Sequence, residues 1–227
     1  MNMSRVIFFL FGILGVINFN YAQTYTSAND SDPKAKKILD DLKRNYDSYK
    51  SLYIEFELIL DLPQADKEVQ NGYIKQQGEK FAAEIDGQEI YCNGSYISVF
   101  LKDNNEVQIN DYDPDDTEGM MTPKDLLQIY ENGDYAYAIT GTERIDGKSL
   151  KTIEFKPLDP NSEYSKLRLY ADQNKREAYR IQVFSKNGSR YTLTVKKLEP
   201  NKKFVDSDFE FDASKHPNLY IEDLRID

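Results

Sequence analysis

The chain has 227 residues, with 29 Lys and Arg set against 39 Asp and Glu, a net charge of −10. So acidic a balance lacks the basic surface that reading a nucleic-acid backbone requires. One Cys and one His exclude an internal disulfide, a Cys-based zinc site and a two-histidine metal cluster. What needs an explanation is 17 Tyr and 12 Phe in an otherwise polar chain with no Trp.

The N-terminus begins with a lone positive charge at Arg5, then the apolar run from Val6 to Ile17, then the small residue Ala22. That run is short for a membrane span and has the length of a signal-peptide core. Residues 1–22 therefore read as a signal peptide cleaved near Ala22, 23–33 as a flexible lead-in, and 34–227 as one exported domain. No Cys directly follows the apolar run, which argues against a lipid-anchored product.

Asp32-Pro33 then reads as a helix N-cap and first helical position. Ala35, Ile38, Leu39, Leu42, Tyr46 and Tyr49 follow at helical spacing. From Ser51 the period changes to two: Leu52, Ile54, Phe56, Leu58 and Leu60 alternate along a strand with one apolar face. Asn-Gly or Asp-Gly pairs at 71–72, 86–87, 93–94, 132–133, 146–147 and 187–188 predict tight hairpin turns. Most of them separate alternating segments, so ten or eleven antiparallel strands form one continuous meander. A second helix is predicted in its middle, started by Thr122-Pro123, with Leu126, Leu127 and Tyr130 on one face and Gly133 as the stop. The fold class is α+β: a single curved antiparallel sheet forming an unclosed half-barrel of about 10–11 strands, capped by a helix 1 plug and a second lid helix.

Enzyme chemistry finds no support. His216 stands before a Pro with no nucleophile motif, and Cys92 reads as a small packed residue beside a turn. No phosphate-cradling glycine motif is present. Asp111 to Asp116 opens like a calcium loop, but Pro114 interrupts it, Asp116 stands where Gly is needed and Thr122 replaces the bidentate Glu. The 111–118 stretch reads as a solvated acidic loop. No catalytic residue, metal or cofactor is expected.

The apolar inventory remains. Ile54, Phe56, Leu58, Phe81, Ala83, Ile97, Val99, Ile153, Phe155, Leu167, Leu169, Ile181, Val183 and Leu193 occupy alternating strand positions. Either they all pack the core, or a curved sheet over two short helices leaves apolar volume for a ligand. Periodicity alone leaves both open.

In order and spacing the chain resembles the LolA-type periplasmic lipoprotein carriers, from about Ala35 to Leu224. The resemblance lies in the opening helix leading into Tyr53-Ile-Glu-Phe56, then Gly72-Tyr-Ile-Lys75 with Glu79-Lys-Phe81, then Cys92-Asn-Gly-Ser-Tyr96. Thr122-Pro123 with Leu126-Leu127 and the closing Phe209-Glu-Phe211 complete it. The resemblance implies a periplasmic protein whose half-barrel shields acyl chains and delivers lipoproteins from inner to outer membrane. It implies acylated lipoprotein cargo, an inner-membrane extraction complex and an outer-membrane acceptor as partners, and a monomer. Leu126, Leu127 and Tyr130 become the lid, and Gln77, Phe81, Met120 and Met121 the mouth or docking residues. Two departures stand out: Gln77 occupies the place where the family often has an Arg that latches the lid, and no Trp joins the aromatic lining. The alternative on the same fold is a carrier or sensor of another lipid or glycolipid, again without catalysis.

Overall fold

The computed structural model describes residues 27–113 and 129–226. The predicted signal peptide, the predicted start of the second helix and Met120, Met121, Leu126 and Leu127 lie outside the described residues.

Helix α1 spans Pro33–Asp47 as predicted, with the Asp32 carboxylate accepting from the Lys34 amide at 2.8 Å and Pro33 opening the first turn. Its stripe Ala35, Ile38, Leu39, Leu42 and Tyr46 is buried. The first meander runs through β1 (Leu52–Asp61), β2 (Glu68–Gln77), β3 (Lys80–Ile85), β4 (Gln88–Cys92), β5 (Tyr96–Leu101) and β6 (Glu106–Asp111). The second comprises β7 (Tyr135–Ile145), β8 (Lys148–Pro157), β9 (Tyr164–Asp172), β10 (Glu177–Ser185) and β11 (Arg190–Pro200), and β12 (Tyr220–Asp223) closes the chain. All join one sheet in the order β12-β6-β5-β4-β3-β2-β1-β11-β10-β9-β8-β7. The two edges, β12 and β7, do not meet, so the half-barrel is unclosed.

The meander is thus two meanders joined where β1 pairs antiparallel with β11, Leu52 opposite Pro200 through Asp61 opposite Arg190. Among the described residues twelve strands replace the expected ten or eleven. The additions are β2, and β12, which pairs parallel with β6 from Tyr220 opposite Glu106 to Asp223 opposite Ile109. A four-residue strand held by a distant partner carries no local signal in its own sequence.

Turn chemistry behaves as expected at Asp146-Gly147, where φ of 49° and 76° at the two central residues builds the hairpin between β7 and β8. At Asn71-Gly72 it does not. Gly72 lies inside β2, opposite Phe56 on β1 and Ile85 on β3. A Cβ there would stand 2.4 Å from the Glu84 carbonyl oxygen and 2.7 Å from the Phe56 ring. The glycine is a close-approach residue, not a turn.

The β1–β11 register skips Lys196 between Glu55 and Phe56, a bulge that re-phases the strand. Val195 pairs with Phe56 and Leu198 with Ile54, so both reach the face that α1 covers. That face is called inner below, its opposite outer. Among the described residues the edge of β7 is protected: its Tyr137 carbonyl accepts from the Asp32 amide at 2.8 Å, and the Tyr137 amide donates to Ser31 Oγ at 3.1 Å.

Gly72→Ala should lower stability by about 1–3 kcal/mol, the usual cost of forcing volume into a filled site. Urea unfolding checks this, and an unchanged midpoint would show that β2 and β3 can separate without penalty.

Candidate functional site

Strand registers place all fourteen alternating apolar residues on the inner face. Ile54 stands opposite Ile74, Ile74 opposite Ala83, Ala83 opposite Ile90 and Ile90 opposite Val99. Phe81 and Ile97 join through Cys92. On the other side of the seam, Leu58 meets Leu193, Leu193 meets Ile181, Ile181 meets Leu169 and Leu169 meets Ile153. Val183 meets Leu167, which meets Phe155.

Helix α1 divides this face in two. Ile54, Ala83, Ile153, Phe155, Leu167 and Leu169 form one buried cluster with its Ala35, Ile38, Leu39, Leu42 and Tyr46. Each large apolar side chain so buried contributes about 1.5–3 kcal/mol, which makes this half a structural core. Burial pushes the Tyr46 hydroxyl well above its ordinary pKa, so the phenol stays neutral in the core. Toward the far ends of β1, β10 and β11 the cover stops. Phe56, Leu58, Leu60, Ile181, Val183, Tyr191, Leu193 and Val195 are only half-buried.

On β11 the ordinary burial pattern is reversed. The outer-face threonines Thr192 and Thr194 are 9% and 1% exposed, while Tyr191, Leu193 and Val195 beside them stay partly open on the inner face. At the rim of this open half lies a cavity of about 610 Å³ lined by Glu163, Tyr164, Val183, Ser185, Lys186, Asn187 and Tyr191. Tyr164, Val183 and Tyr191 give it apolar lining and Glu163, Ser185, Lys186 and Asn187 polar lining, a mixture that suits an amphiphile. Leu60, Tyr164, Val195 and Leu198 were not among the expected site residues. Leu60 continues the β1 alternation, whereas the bulge at Lys196 hides Leu198 from any period-two reading.

The expected mouth and lid residues fall in different places. Phe81 is 4% exposed, with its ring edge-on to Tyr112 at 6.2 Å, so it is a buried wall residue and not an exposed hairpin tip. Gln77 projects on the outer face with Lys75, which pairs with Asp208 at 3.1 Å, while Lys80 opposite it pairs with Asp206 at 2.8 Å. The inner position next to Phe81 is Gln76. Tyr130 is buried against α1: its hydroxyl donates to Asp40 Oδ1 at 2.9 Å, and its ring stands edge-on to Tyr137 at 5.9 Å. Cys92 is fully buried and its thiol, pushed up by burial, donates to the Glu79 carbonyl at 3.8 Å. His216 stacks on Phe211 at 4.9 Å on the outer side of the sheet. Among the described residues no cluster of His, Cys, Asp and Glu could hold a metal ion.

The aromatic surplus is shared between the faces. Tyr135, Tyr137 and Phe155 form an inner cluster. Tyr53 and Tyr73 stack at 6.0 Å on the outer face, where Tyr91 and Phe100 also receive Phe211 from the C-terminal segment. Much of it therefore lies away from the inner face.

No family model matches the chain, and no curated protein matches it. Among solved structures it is similar to an uncharacterized conserved protein from Thermus thermophilus, at 9% identity and TM-score 0.56, covering 84% of this chain and 99% of that one. It is similar to lipoprotein LppX from Mycobacterium tuberculosis, at 16% identity and TM-score 0.46, over 77% of this chain and 99% of that one. A LolA superfamily protein from Nitrosomonas europaea is also among them, at 14% identity and TM-score 0.37, over 78% and 97%. The Thermus likeness shows a shared fold; the two lower TM-scores carry no argument about function.

The contact between Tyr130 and α1 can be tested by titration. Burial works to raise the Asp40 carboxyl, but hydrogen bonds from Lys36 and Tyr130 outweigh it and hold the group below its ordinary value of 3.8. Its stabilising effect is then present above that value and lost as the pH falls through the folded-state pKa. Tyr130→Phe should cost about 1–2 kcal/mol at neutral pH. The deficit should shrink in acid below the ordinary aspartate range, as followed by thermal melting across pH. A deficit independent of pH would place the loss in ring packing instead.

Proposed function

We propose that this protein is an exported carrier that shelters the acyl chains of lipoproteins on the open half of the inner face. One observation carries the reading: a sheet that buries its outer threonines while leaving Leu58, Val183, Tyr191 and Leu193 partly uncovered beside a cavity. A protein folding only for itself gains by covering apolar surface first. An apolar guest gains at this place what the chain leaves unclaimed, about 0.8 kcal/mol for each buried CH₂.

The mechanism needs binding and release, and no bond chemistry. The deep half, held by α1, keeps the sheet rigid, and the open half takes and yields the chains. Partial cover keeps the affinity moderate, so a receiver with more complete burial draws the cargo onward. Passage from an inner-membrane extraction complex to an outer-membrane acceptor in the periplasm is the route the LolA-type resemblance implies. The apolar run at residues 6–17 with Ala22 supports export through a cleaved signal peptide.

Extraction of the protein from its native envelope followed by mass spectrometry should recover acylated species, and their absence would refute the carrier reading. In vitro, Leu58→Glu should weaken binding of a fluorescent fatty acid at least about tenfold, because it puts a charge on the open apolar half of the inner face. The melting temperature should change little at this half-buried position. Unchanged binding in a folded variant would remove the open half from the site.

A further inference from the structure

The outer face of β8 to β11 has a charge opposite to that of the chain. Register sets Lys166 opposite Phe184 and Phe184 opposite Arg190, while Arg168 faces Gln182 and Arg180 lies between Tyr170 and Thr194. Lys156, exposed on the same side of β8, extends the row by one strand. Around these five cations lies one carboxylate, Glu154, which is taken by Lys166 at 3.0 Å and by Arg168; the two others that the register puts on this face, Asp172 and Glu177, lie at the β9–β10 turn, where Asp172 accepts from the Asn174 amide at 3.0 Å. On the adjoining β1, Asp61 pairs with Lys67 at 3.0 Å and Glu57 with Lys196 at 2.9 Å. Among the described residues no carboxylate forms an ion pair with Lys156, Arg180 or Arg190.

Four of the five lie over aromatic rings. The Phe184 ring takes Lys166 at 5.0 Å, Arg168 at 5.6 Å and Arg190 at 4.9 Å. Arg180 lies 5.9 Å from the Tyr170 ring, and its Nε donates to Thr194 Oγ1 at 3.0 Å. A guanidinium fixed this way keeps donors directed outward and loses little side-chain freedom on binding.

We propose that this face docks the protein on an anionic phospholipid bilayer. With a net charge of −10 the rest of the surface is repelled by such a membrane, so attraction and repulsion together select one orientation. The same strand ends carry Tyr164, Lys186 and Tyr191 at the cavity rim, so a docked molecule holds that rim beside the lipid surface. The inference extends the carrier reading by naming the surface on which cargo is exchanged. It is read by a different assay.

Flotation with vesicles tests it. The wild-type protein should bind vesicles of phosphatidylcholine with phosphatidylglycerol at low ionic strength, fail to bind phosphatidylcholine alone, and release at high ionic strength. Each cation near an anionic surface is worth about five-fold in affinity. The triple variant K156Q/R180Q/R190Q should therefore bind about a hundred-fold more weakly. A control with the same charge change elsewhere, K34Q/K37Q/K203Q, should bind like wild type. Wild-type indifference to phosphatidylglycerol, or equal loss in both variants, would overturn the proposal. So would preference for soluble polyglutamate over the vesicles, which would assign the face to an acidic protein. Fatty-acid binding, measured without vesicles, should be the same in all three proteins, so loss of docking and loss of the carrier reading are separate results.

Discussion

Everything in this fold depends on the ten-residue seam between β1 and β11. It joins strands separated by most of the chain and turns two local meanders into one sheet. Local turns can build each meander on its own, but neither then has an inner face wide enough to enclose anything. The seam also fixes parity. Leu58 opposite Leu193 and Ile54 opposite Leu198 put both halves' apolar residues on one side only because the bulge at Lys196 absorbs the odd residue. A one-residue slip would send Leu58, Leu60 and their partners outward.

A second constraint follows from lengths. Helix α1 has 15 residues, about 22 Å of helix. Twelve strands set about 4.8 Å apart make a curved face of roughly 50 Å. Among the described residues one helix covers that face, running from Tyr137 on β7, where the Asp32 amide donates at 2.8 Å, to the β9–β10 turn, where Asn45 donates to the Arg176 carbonyl at 3.0 Å. Its apolar stripe is satisfied there, which leaves Phe56, Leu58, Val183 and Leu193 half-covered. The openness of the candidate site is a matter of geometry before it is one of function.

The strands with strict alternation were legible in the sequence, and so was the inner set, since a period of two survives within each segment. Three features were not legible, each for a physical reason. β2 contains Asn-Gly, whose usual meaning is a turn, whereas here the missing side chain makes room for Phe56 and the Glu84 carbonyl. β12 is too short to pattern and exists through its parallel partner β6. The division of the inner residues into covered and open depends on where α1 lands, and no residue on β1 or β10 encodes that by itself. Gln77 shows the same limit at single-residue scale: whether it faces inward or outward is a matter of parity along β2, which only the pairing with β1 and β3 determines.

The aromatic surplus has two uses, of which lining is only one. On the inner face Tyr135, Tyr137 and Phe155 are packing. On the outer face, rings hold two cations that no carboxylate pairs with among the described residues: Arg190 lies 4.9 Å from the centre of Phe184 and Arg180 5.9 Å from that of Tyr170. Each such contact at an exposed site contributes about 0.5–1 kcal/mol. Unlike a salt bridge, it leaves the positive charge uncancelled. An acidic protein that stabilised these side chains with carboxylates would have a neutral outer sheet. Stabilising them with rings keeps a region of positive potential on a chain that is negative elsewhere, and so gives the two sides of β8 to β11 different physical characters, apolar inside and cationic outside.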